Sequence, residues 1–383
     1  MGHRVPIVVA AAAALLLAGC GGSSGSGSNQ SGGTSTSGGG DIKVGWTPLS
    51  NPVDESRIAF DKGIKDGIEA AGGKYLYCSP SPAGGATGDP AKQASCVDTF
   101  VSQGAKAIIV YPIDIAALAP SLKKATDKGI KVYDFTGPAP ASTGIKMRLT
   151  VFSGDREAGM QAGQALVDAL TQKNGSPKGN VLEVQGLLTT EAAIERGGGF
   201  HDVVDKDPGI KIVQKAADWD SGKAGPIVRD YLTAHPDTDA VYMHSGAAYL
   251  PPTEATLKQI GRWAPIGSPK HVILVAGDSS NQTLYAFKCG YMDQNVDLGF
   301  VNISRYFADA VMKDVTTGKL PAAGSTIQTG DPLFPTAKIV NQPQFQGLQM
   351  LLSALKVTKD NVGDKGLFGN AVQPEPNGAT ACK

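Results

Sequence analysis

An unbroken apolar run, Ala107-Ile108-Ile109-Val110-Tyr111, lies between Gly104-Ala105-Lys106 and Pro112. A short apolar run that is bounded by glycine and proline predicts a strand buried on both faces. Amphipathic stretches flank it at 91–102 and 116–128, where apolar residues recur with the spacing of a helix. This helix–strand–helix unit is typical of a parallel sheet covered by helices.

The same alternation recurs along the chain. Further strands are expected at Lys43–Trp46, Lys74–Cys78, Lys131–Phe135, Val181–Gln185, Lys211–Lys215, Ala240–His244, Val272–Ala276 and Gly290–Val296. Helices are expected at Glu55–Ala71, Ala91–Ser102, Ala116–Lys128, Asp155–Gln172, Ala192–Asp205, Ala224–Ala234, Thr253–Arg262, Val301–Lys313 and Phe345–Leu355. The pattern predicts an α/β fold class with two doubly wound lobes on parallel sheets, and the first crossing between them is expected at Thr150–Asp155.

The composition limits the possible partners. The chain of 383 residues has 35 basic and 35 acidic residues, so its formal net charge is zero. No basic excess indicates nucleic acid, and no polybasic segment indicates lipid headgroups. Beyond residue 40, no apolar run reaches the roughly 18 residues of a spanning helix.

The N-terminus has the pattern of an export signal. His3 and Arg4 precede an apolar run over 7–17, and small residues lead to Cys20, which predicts a signal peptide over 1–19. Leu17-Ala18-Gly19-Cys20 resembles the lipobox of bacterial lipoproteins, which implies acylation of Cys20 and an anchor on the outer face of the cell membrane. The alternative is a secreted protein with a chance cysteine. Residues 20–40, nearly all Gly, Ser and Thr, predict a flexible tether with a reach of about 25 Å.

Four cysteines remain beyond Cys20. An even count in an exported chain favours disulfides. Proximity in sequence predicts the pairs Cys78–Cys96 and Cys289–Cys382, although four cysteines allow three pairings. No two cysteines have the spacing of a metal site, so no metal is expected.

Several segments, taken in their order along the chain, form a pattern found in a known family. They are Asp41-Ile42-Lys43-Val44-Gly45 with Ser50-Asn51-Pro52, Gly104 to Pro112, Glu183-Val184-Gln185-Gly186, Glu195 to Phe200, Ala216 to Asp220, Tyr231 to Asp237 and Val275 to Asp278. In this order the chain resembles the type I periplasmic binding proteins, specifically the ribose-type sugar-binding subunits of ABC importers. The resemblance implies two Rossmann-like lobes, joined by three hinge strands, with ligand in the cleft. We expect one lobe from 41–150 plus 295–327, the other from 151–294 plus 328–345, and a tail over 346–383.

Polar residues at the ends of the predicted strands are the candidate ligand contacts, because ligands of open α/β sheets bind beyond the carboxyl ends of strands. They are Thr47, Asn51, Asp134, Thr136, His244, Ser245 and Asp278. The resemblance implies that Trp219 stacks on a sugar ring and that Asp278, Gln294 and Asn51 contact ligand. The alternatives are a core tryptophan, a helix N-cap at Asp278, and loop hydrogen bonds for the two amides.

The chain also departs from the family pattern. Val53 and Asp54 replace two aromatic residues, and an arginine of the second lobe falls on Ile194, with Arg196 interpreted as structural. Other family positions fall on Thr136-Gly137 and Ser245-Gly246. We therefore expect a small polar ligand other than ribose, such as another sugar, a polyol or a cyclitol. Asp54, Asp134 and Asp278 leave open whether that ligand is cationic or polyhydroxylated. The aromatic residues available to replace the lost face are Trp46, Tyr111, Phe135 and Tyr249.

Three functions fit these features. The first is a monomeric solute-binding lipoprotein, without a cofactor, that delivers its ligand to an ABC permease. The second is a receptor that signals to a membrane kinase or chemoreceptor. The third, an enzyme, is disfavoured because no G-x-G-x-x-G, P-loop or H-E-x-x-H motif occurs, although His244 could act as a base.

Overall fold

The computed structural model describes residues 42–83, 85, 88–373 and 382. The predicted signal peptide, Cys20 and the tether lie outside the described residues. Among those described, no helix is both long enough and apolar enough to cross a membrane.

Helices and strands alternate through most of the chain. The first set is β1 (Lys43–Thr47), α1 (Glu55–Ala70), β2 (Lys74–Tyr77), α2 (Pro90–Ser102), β3 (Ala107–Val110), α3 (Ile115–Asp127), β4 (Lys131–Phe135) and β5 (Met147–Phe152). The second is α4 (Asp155–Asn174), β6 (Gly179–Gln185), α5 (Glu191–Val204), β7 (Ile210–Ala216), α6 (Ser221–Ala234), β8 (Ala240–Met243), α7 (Gly246–Gln259), β9 (Ile273–Gly277), α8 (Asn281–Lys288) and β10 (Gln294–Asp297). The last is α9 (Phe300–Thr317), β11 (Thr326–Gln328), β12 (Thr336–Val340), β13 (Leu348–Leu351), β14 (Leu355–Lys356) and α10 (Phe368–Val372).

The strands form two sheets, one for each lobe. The first-lobe sheet has the order β11-β12-β13-β5-β4-β3-β1-β2, and the second-lobe sheet has the order β14-β10-β9-β8-β6-β7. Pairing is parallel except at β11–β12, β12–β13 and β10–β14. Central strands such as β3 and β8 are buried along their whole length, because helices cover both faces. The predicted α/β class with two doubly wound lobes is confirmed.

Within the described residues the chain passes between the sheets three times, after β5, after β10 and after β13. Glycines begin the helices that follow the first two crossings, with φ of 69° at Gly154 and 59° at Gly299. A Cβ at Gly154 would lie 2.6 Å from the nitrogen of Ala354, so the first and third crossings approach closely there. Glycine is required at such a position because side chains disfavour both the positive φ and the contact.

The C-terminal part corrects two expectations. Residues 328–345 were expected in the second lobe, but β12 pairs with β13, and β13 pairs in parallel with β5 of the first-lobe sheet. The helix expected over Phe345–Leu355 is instead β13 followed by β14. Here the pairing of β13 with a distant strand outweighs a local spacing that also fits a helix. The boundary expected at residue 295 divides β10, whose four residues all belong to the second-lobe sheet.

Close helix packing positions the cleft residues of each lobe. A Cβ at Gly63 on α1 would lie 2.4 Å from the carbonyl oxygen of Val301 on α9, so α1 rests directly against the α9 backbone. In the second lobe, a Cβ at Gly159 on α4 would lie 2.1 Å from the carbonyl oxygen of Arg196 on α5. A side chain at either glycine would push these helices apart and move the residues they carry.

Both expected cysteine pairs are bonded in the structure. Cys78 is joined to Cys96 with a Cα–Cα distance of 5.6 Å, and Cys289 is joined to Cys382 with 5.3 Å. Both distances lie within the usual range for bonded cysteines. The second bridge ties the end of the described chain to the C-terminus of α8.

Candidate functional site

A cavity lies between the two lobes, beyond the carboxyl ends of several strands. Its volume of about 30 Å³ holds only roughly one or two waters. It is lined by Pro48, Leu49, Asp54, Ser56, Arg57, Phe60, Tyr111, Arg196, Trp219, Ser245, Ala248, Asp278 and Phe300. The lining combines four aromatic rings with two guanidinium groups, two carboxylates and three hydroxyls. Small-molecule sites use such a mixture of apolar faces and a few polar groups.

Arg196 is the buried cation of the second lobe. Its Nε donates to Asp155 at 2.7 Å, and its Nη1 donates to the carbonyl oxygen of His244 at 2.6 Å and to Asp278 at 3.2 Å. The guanidinium carbon lies 5.2 Å from the centre of the Trp219 ring, within cation–π range. These contacts fix the guanidinium beside the cavity, so it needs no reordering when a ligand binds.

Asp278 follows β9 and presents a carboxylate to the cavity wall. Its backbone has a φ of 56°, and its Oδ1 accepts a hydrogen bond from the Ala247 nitrogen at 2.9 Å. Burial raises the pKa of Asp278 to about 6, although the positive charge of Arg196 acts in the opposite direction. Each carboxylate oxygen can accept two hydrogen bonds, so capacity remains for a ligand hydroxyl.

Trp219 is held rigidly where the chain leaves β7. Asp218 and Trp219 are consecutive left-handed residues, with φ of 54° and 60°. The Trp219 nitrogen donates to the Tyr249 hydroxyl at 2.8 Å, and its Nε1 donates to the Thr190 hydroxyl at 3.2 Å. A Cβ at Gly186 would lie 2.1 Å from the indole ring. Strained backbone of this kind concentrates at functional sites, where surrounding contacts hold it.

Arg57 connects the first lobe to this tryptophan. Asp54 is the N-cap of α1 and accepts hydrogen bonds from the Arg57 nitrogen at 3.0 Å and the Ser56 hydroxyl at 2.6 Å. The Arg57 Nη1 pairs with Asp54 at 2.8 Å, while Nη2 donates to the carbonyl oxygen of Trp219 at 2.8 Å. The side chain is only 7% exposed. A single guanidinium therefore joins α1 to the turn that carries the indole.

Two more hydrogen bonds cross between the lobes. The Glu55 carboxylate accepts from the Asn281 nitrogen at 2.5 Å, and the Thr189 hydroxyl donates to the Ile113 carbonyl oxygen at 3.1 Å. Burial, with the nearby negative charge of Asp278, raises the pKa of Glu55 to about 7. These contacts describe a closed cleft.

A buried acid–histidine chain stands behind the second-lobe wall. Glu183 accepts from His244 and from His201, each at 2.8 Å. Burial alone would raise the pKa of Glu183, but the two histidines together lower it to about 2. Hydrogen bonding to Glu183 raises the pKa of His201 to about 9, whereas burial lowers the pKa of His244. His244 Nδ1 accepts from the Gly186 nitrogen at 3.3 Å, so a neutral His244 supports the backbone beneath Trp219.

The structure separates the ten candidate contacts into two groups. Four line the cavity: Tyr111, Trp219, Ser245 and Asp278. Six do not: Thr47, Asn51, Asp134, Thr136, His244 and Gln294. His244 reaches the site only through its carbonyl oxygen and through Gly186.

Two of the six use their amides elsewhere. Asn51 Nδ2 donates to the carbonyl oxygens of Pro82 at 2.6 Å and Gly85 at 3.1 Å, which fixes the loop after β2. Gln294 donates to its neighbour's carbonyl oxygen and to that of Val357 at 2.9 Å. Both amides therefore make hydrogen bonds within the protein, which was the alternative to ligand contact.

Three others are buried in the first lobe. Thr47 and Asp134 are in register across β1, β3 and β4, so their side chains lie on the same face of the sheet. That face also carries Val132 and packs against α2 and α3. The Asp134 carboxylate accepts from the Gly137 nitrogen at 3.2 Å, and burial raises its pKa well above the usual range. Thr136 continues the chain with a φ of 66°. Side chains on a helix-covered face do not reach the cleft.

Three charged residues that line the cavity were not among the predicted ligand contacts. From sequence, Asp54 is marked as the replacement for an aromatic residue, Arg57 is not marked, and Arg196 is interpreted as structural. Of the four replacement aromatics, only Tyr111 reaches the cavity, and burial raises its pKa to about 12. One signal for Asp54 and Arg57 was available: the Asp54-x-x-Arg57 spacing suits an N-cap whose carboxylate pairs with a first-turn arginine.

Comparison with known proteins assigns the family. A model of the periplasmic binding protein domain matches residues 48–319. The chain belongs to this family.

It is 25% identical over 240 residues to the ribose import binding protein of Bacillus subtilis, covering 63% of this chain and 70% of that one. It is 32% identical over 241 residues to a xylitol-binding protein of Mycolicibacterium smegmatis, covering 61% and 64%. An ABC transporter solute-binding protein from Clostridium phytofermentas, solved with L-rhamnose, superposes with a TM-score of 0.69 at 18% identity, covering 85% and 98%. The resemblance drawn from sequence is confirmed.

Proposed function

We propose that this chain is an extracytoplasmic solute-binding protein that captures a small sugar, polyol or cyclitol between its lobes and delivers it to an ABC importer. The observation that carries the proposal is the cavity between the lobes, with the Trp219 ring and the Asp278 carboxylate on its wall. An aromatic face suits the C–H surface of such a ligand, and a carboxylate suits its hydroxyls. The reported relatives are named as binding proteins, which favours capture without chemical change.

The ligand is proposed to differ from ribose. Ile194, at the position of a family arginine, is exposed and does not line the cavity. Arg57, at a position the family pattern did not mark, supplies a guanidinium from the opposite lobe. An unmatched buried polar group costs about 1–3 kcal/mol, so exchanging donors in this way changes which hydroxyl pattern binds.

We propose further that the protein acts as a monomer at the outer face of the membrane. The signal over 1–19 would direct export and then be removed. The lipid on Cys20 and the tether over 20–40 would hold the folded part near the permease. Mass spectrometry of the membrane-bound protein should show an acylated Cys20 as the first residue. A Cys20→Ala variant should be released from the membrane fraction, and its retention there would contradict the lipid anchor.

The decisive experiment is a thermal-shift screen of the purified protein over sugars, polyols, cyclitols and small acids, followed by calorimetry of each hit. A ligand that binds only the folded state raises the Tm by mass action. Trp219→Ala should abolish the shift, whereas Trp263→Ala, which removes a tryptophan that does not line the cavity, should keep it. Absence of any stabilising ligand, or turnover of a ligand, would overturn the function. Tight binding of ribose would overturn the proposed departure from it.

A further inference from the structure

Lysines stand at the starts of five neighbouring strands of the first-lobe sheet, at the end opposite the cleft. Lys74 on β2 and Lys43 on β1 are register partners. The Lys106 nitrogen donates to the Lys43 carbonyl oxygen at 2.8 Å, and the Lys131 nitrogen donates to the Lys106 carbonyl oxygen at 3.1 Å. Lys146 precedes β5, the next strand of the sheet. Because neighbouring strands lie about 4.8 Å apart, these five residues, the lysine row, extend over roughly 20 Å.

Most of the lysine row keeps its charge available to a partner. Lys131 is the exception, since its ammonium pairs with the buried Asp314. Lys43 Nζ donates to a neutral carbonyl oxygen at 2.9 Å, which leaves its charge uncompensated. The side chains of the other three are exposed and, within the part of the chain that the structure describes, make no hydrogen bond or ion pair: Lys74, Lys106 and Lys146.

The helix ends beside these strand starts add one cation and two anions. Lys128 is the C-cap of α3, Asp127 is its last residue, and Glu69 lies in the last turn of α1, all three exposed. Five uncompensated lysines against two carboxylates give this end of the lobe a net positive charge, although the whole chain is neutral. The sequence contains no polybasic segment because the fold collects these lysines from separate strands and helices.

The corresponding end of the second-lobe sheet is mixed in charge. Lys178 precedes β6 and Lys211 is the second residue of β7, but Asp239 precedes β8 and Asp293 precedes β10. Each of these carboxylates contacts a basic side chain at 2.9 Å. The lysine row therefore distinguishes the first lobe from the second.

The predicted tether joins the first lobe at the lysine row. Ile42, the first described residue, leads directly into Lys43 on β1, and the tether over 20–40 ends just before it. A lipid on Cys20 would keep the row within about 25 Å of the bilayer surface, which is the reach of the tether. Basic side chains so close to an anionic bilayer add to the hold of a lipid anchor.

We propose that the lysine row is a membrane-facing surface, and that its partner is the phosphate headgroups of anionic phospholipids. Each lysine close to an anionic bilayer strengthens binding by roughly fivefold. The surface orients the tethered protein, with the distal end of the first lobe against the bilayer and the cleft directed away from that contact. This inference goes beyond ligand capture and takes only the tether from the proposed function.

Vesicle co-sedimentation of the full chain carrying Cys20→Ala tests the surface without the lipid. The first-lobe variant adds four exchanges of exposed lysines: Lys74→Gln, Lys106→Gln, Lys128→Gln and Lys146→Gln. The matched control adds four exchanges of exposed lysines in the second lobe: Lys178→Gln, Lys206→Gln, Lys211→Gln and Lys270→Gln. Both variants lose the same net charge, and residues 1–19 contribute equally to every protein compared.

The first-lobe variant should bind vesicles of phosphatidylcholine with about 30% phosphatidylglycerol at least tenfold more weakly than the parent, and the control should stay within about twofold. The difference should disappear at about 1 M salt, where the Debye length is only about 3 Å. Equal weakening of both variants would overturn the surface, because it would show a response to net charge alone. Unchanged binding of the first-lobe variant would also overturn it.

Lysine acetylation of the lipidated protein gives a readout at single residues. On vesicles with phosphatidylglycerol, Lys74 and Lys146 should react several times more slowly than on pure phosphatidylcholine, while Lys211 and Lys270 should react equally on both. Protection of Lys74 and Lys146 in native membranes, but not on phosphatidylglycerol vesicles, would overturn the lipid partner in favour of an acidic protein.

The thermal-shift screen reports on solute binding separately, because the described lining of the cavity between the lobes contains no lysine. A protein that binds sugars but shows no lysine-dependent binding to anionic vesicles overturns this inference and leaves the proposed function standing. A protein that binds anionic vesicles through the lysine row but binds no sugar or polyol overturns the proposed function and leaves this inference standing.

Discussion

Arg57 on the first lobe donates from Nη2 to the carbonyl oxygen of Trp219 on the second lobe, at 2.8 Å. The same guanidinium is paired with Asp54 at 2.8 Å, so its position is fixed from its own helix. The bond exists only when the lobes are together. Arg57 therefore couples closure of the lobes to the turn that carries the indole.

We expect Arg57→Lys to weaken ligand binding by roughly tenfold. A hydrogen bond from a charged group contributes about 1.5–3 kcal/mol, and an ammonium cannot span Asp54 and the carbonyl with the geometry of a planar guanidinium. Calorimetry on the best ligand from the screen measures the affinity, and small-angle scattering should show a larger radius of gyration. Arg229→Lys, on an exposed part of α6, is the control. Unchanged affinity in Arg57→Lys would show that the bond does not hold the cleft closed.

Most of the fold could be predicted because its strands are short apolar runs between amphipathic helices. Strands such as β4, over Lys131–Phe135, match the prediction residue for residue. The C-terminal part could not, because β13 exists through its pairing with β5, nearly 200 residues earlier in the chain. Local spacing contains no information about such a partner.

The site was predictable only where the strand-end rule applies. Asp278 follows a strand and lines the cavity, and Trp219, which the resemblance indicated, lines it too. Contact of either residue with ligand stays a prediction. Arg57 lies on a helix, and its direction depends on how α1 packs against α9 through Gly63. His244 also follows a strand, but Glu183 on the adjacent strand binds its side chain away from the cleft. Whether the side chain of a strand-end histidine faces the cleft therefore depends on which strand lies beside it, and the fold determines that neighbour.

We expect ligand affinity to fall as the pH rises from 5 to 8. The pKa of Glu55 is raised to about 7 in the closed cleft, whereas a solvated carboxyl in an open form has a pKa near 4.5. A proton therefore binds the closed form more tightly than the open form. Closure is therefore most favourable below about pH 4.5 and loses this contribution as the pH rises through 7. Asp278, with its pKa raised to about 6, acts in the same direction.

Calorimetry of the same ligand at pH 5, 6, 7 and 8 measures this dependence. Glu55→Gln should flatten the profile between pH 6 and 8, since an amide cannot titrate, and leave the part below 6 that belongs to Asp278. Glu69→Gln on the outer end of α1 should retain the full profile. A rise in affinity towards pH 8 in the unmodified protein would contradict the linkage.

We expect Asp278→Asn to reduce affinity by a hundredfold or more and to lower stability. The change removes the carboxylate from the cavity wall and leaves Arg196 with Asp155 as its remaining carboxylate partner. Removing one partner of a buried ion pair costs about 3–5 kcal/mol, and the Asp155 contact should keep the loss at the low end. Calorimetry and urea unfolding measure the two effects. The exposed Asp230→Asn on α6 is the control. Unaltered affinity would remove Asp278 from the binding site.

We expect the two disulfides to differ in their effect on stability. The bonded residues are separated by 18 positions for Cys78–Cys96 and by 93 for Cys289–Cys382. A longer closed loop restricts the unfolded chain more, with contributions of roughly 3 and 4.7 kcal/mol at loop lengths near 15 and 100. Replacing Cys289 and Cys382 with serine should therefore lower the free energy of unfolding more than replacing Cys78 and Cys96, as measured by urea titration. Non-reducing peptide mapping should first recover both bridged peptides. A larger loss from the shorter loop would show that local packing, rather than restriction of the unfolded chain, dominates the contribution of these bridges.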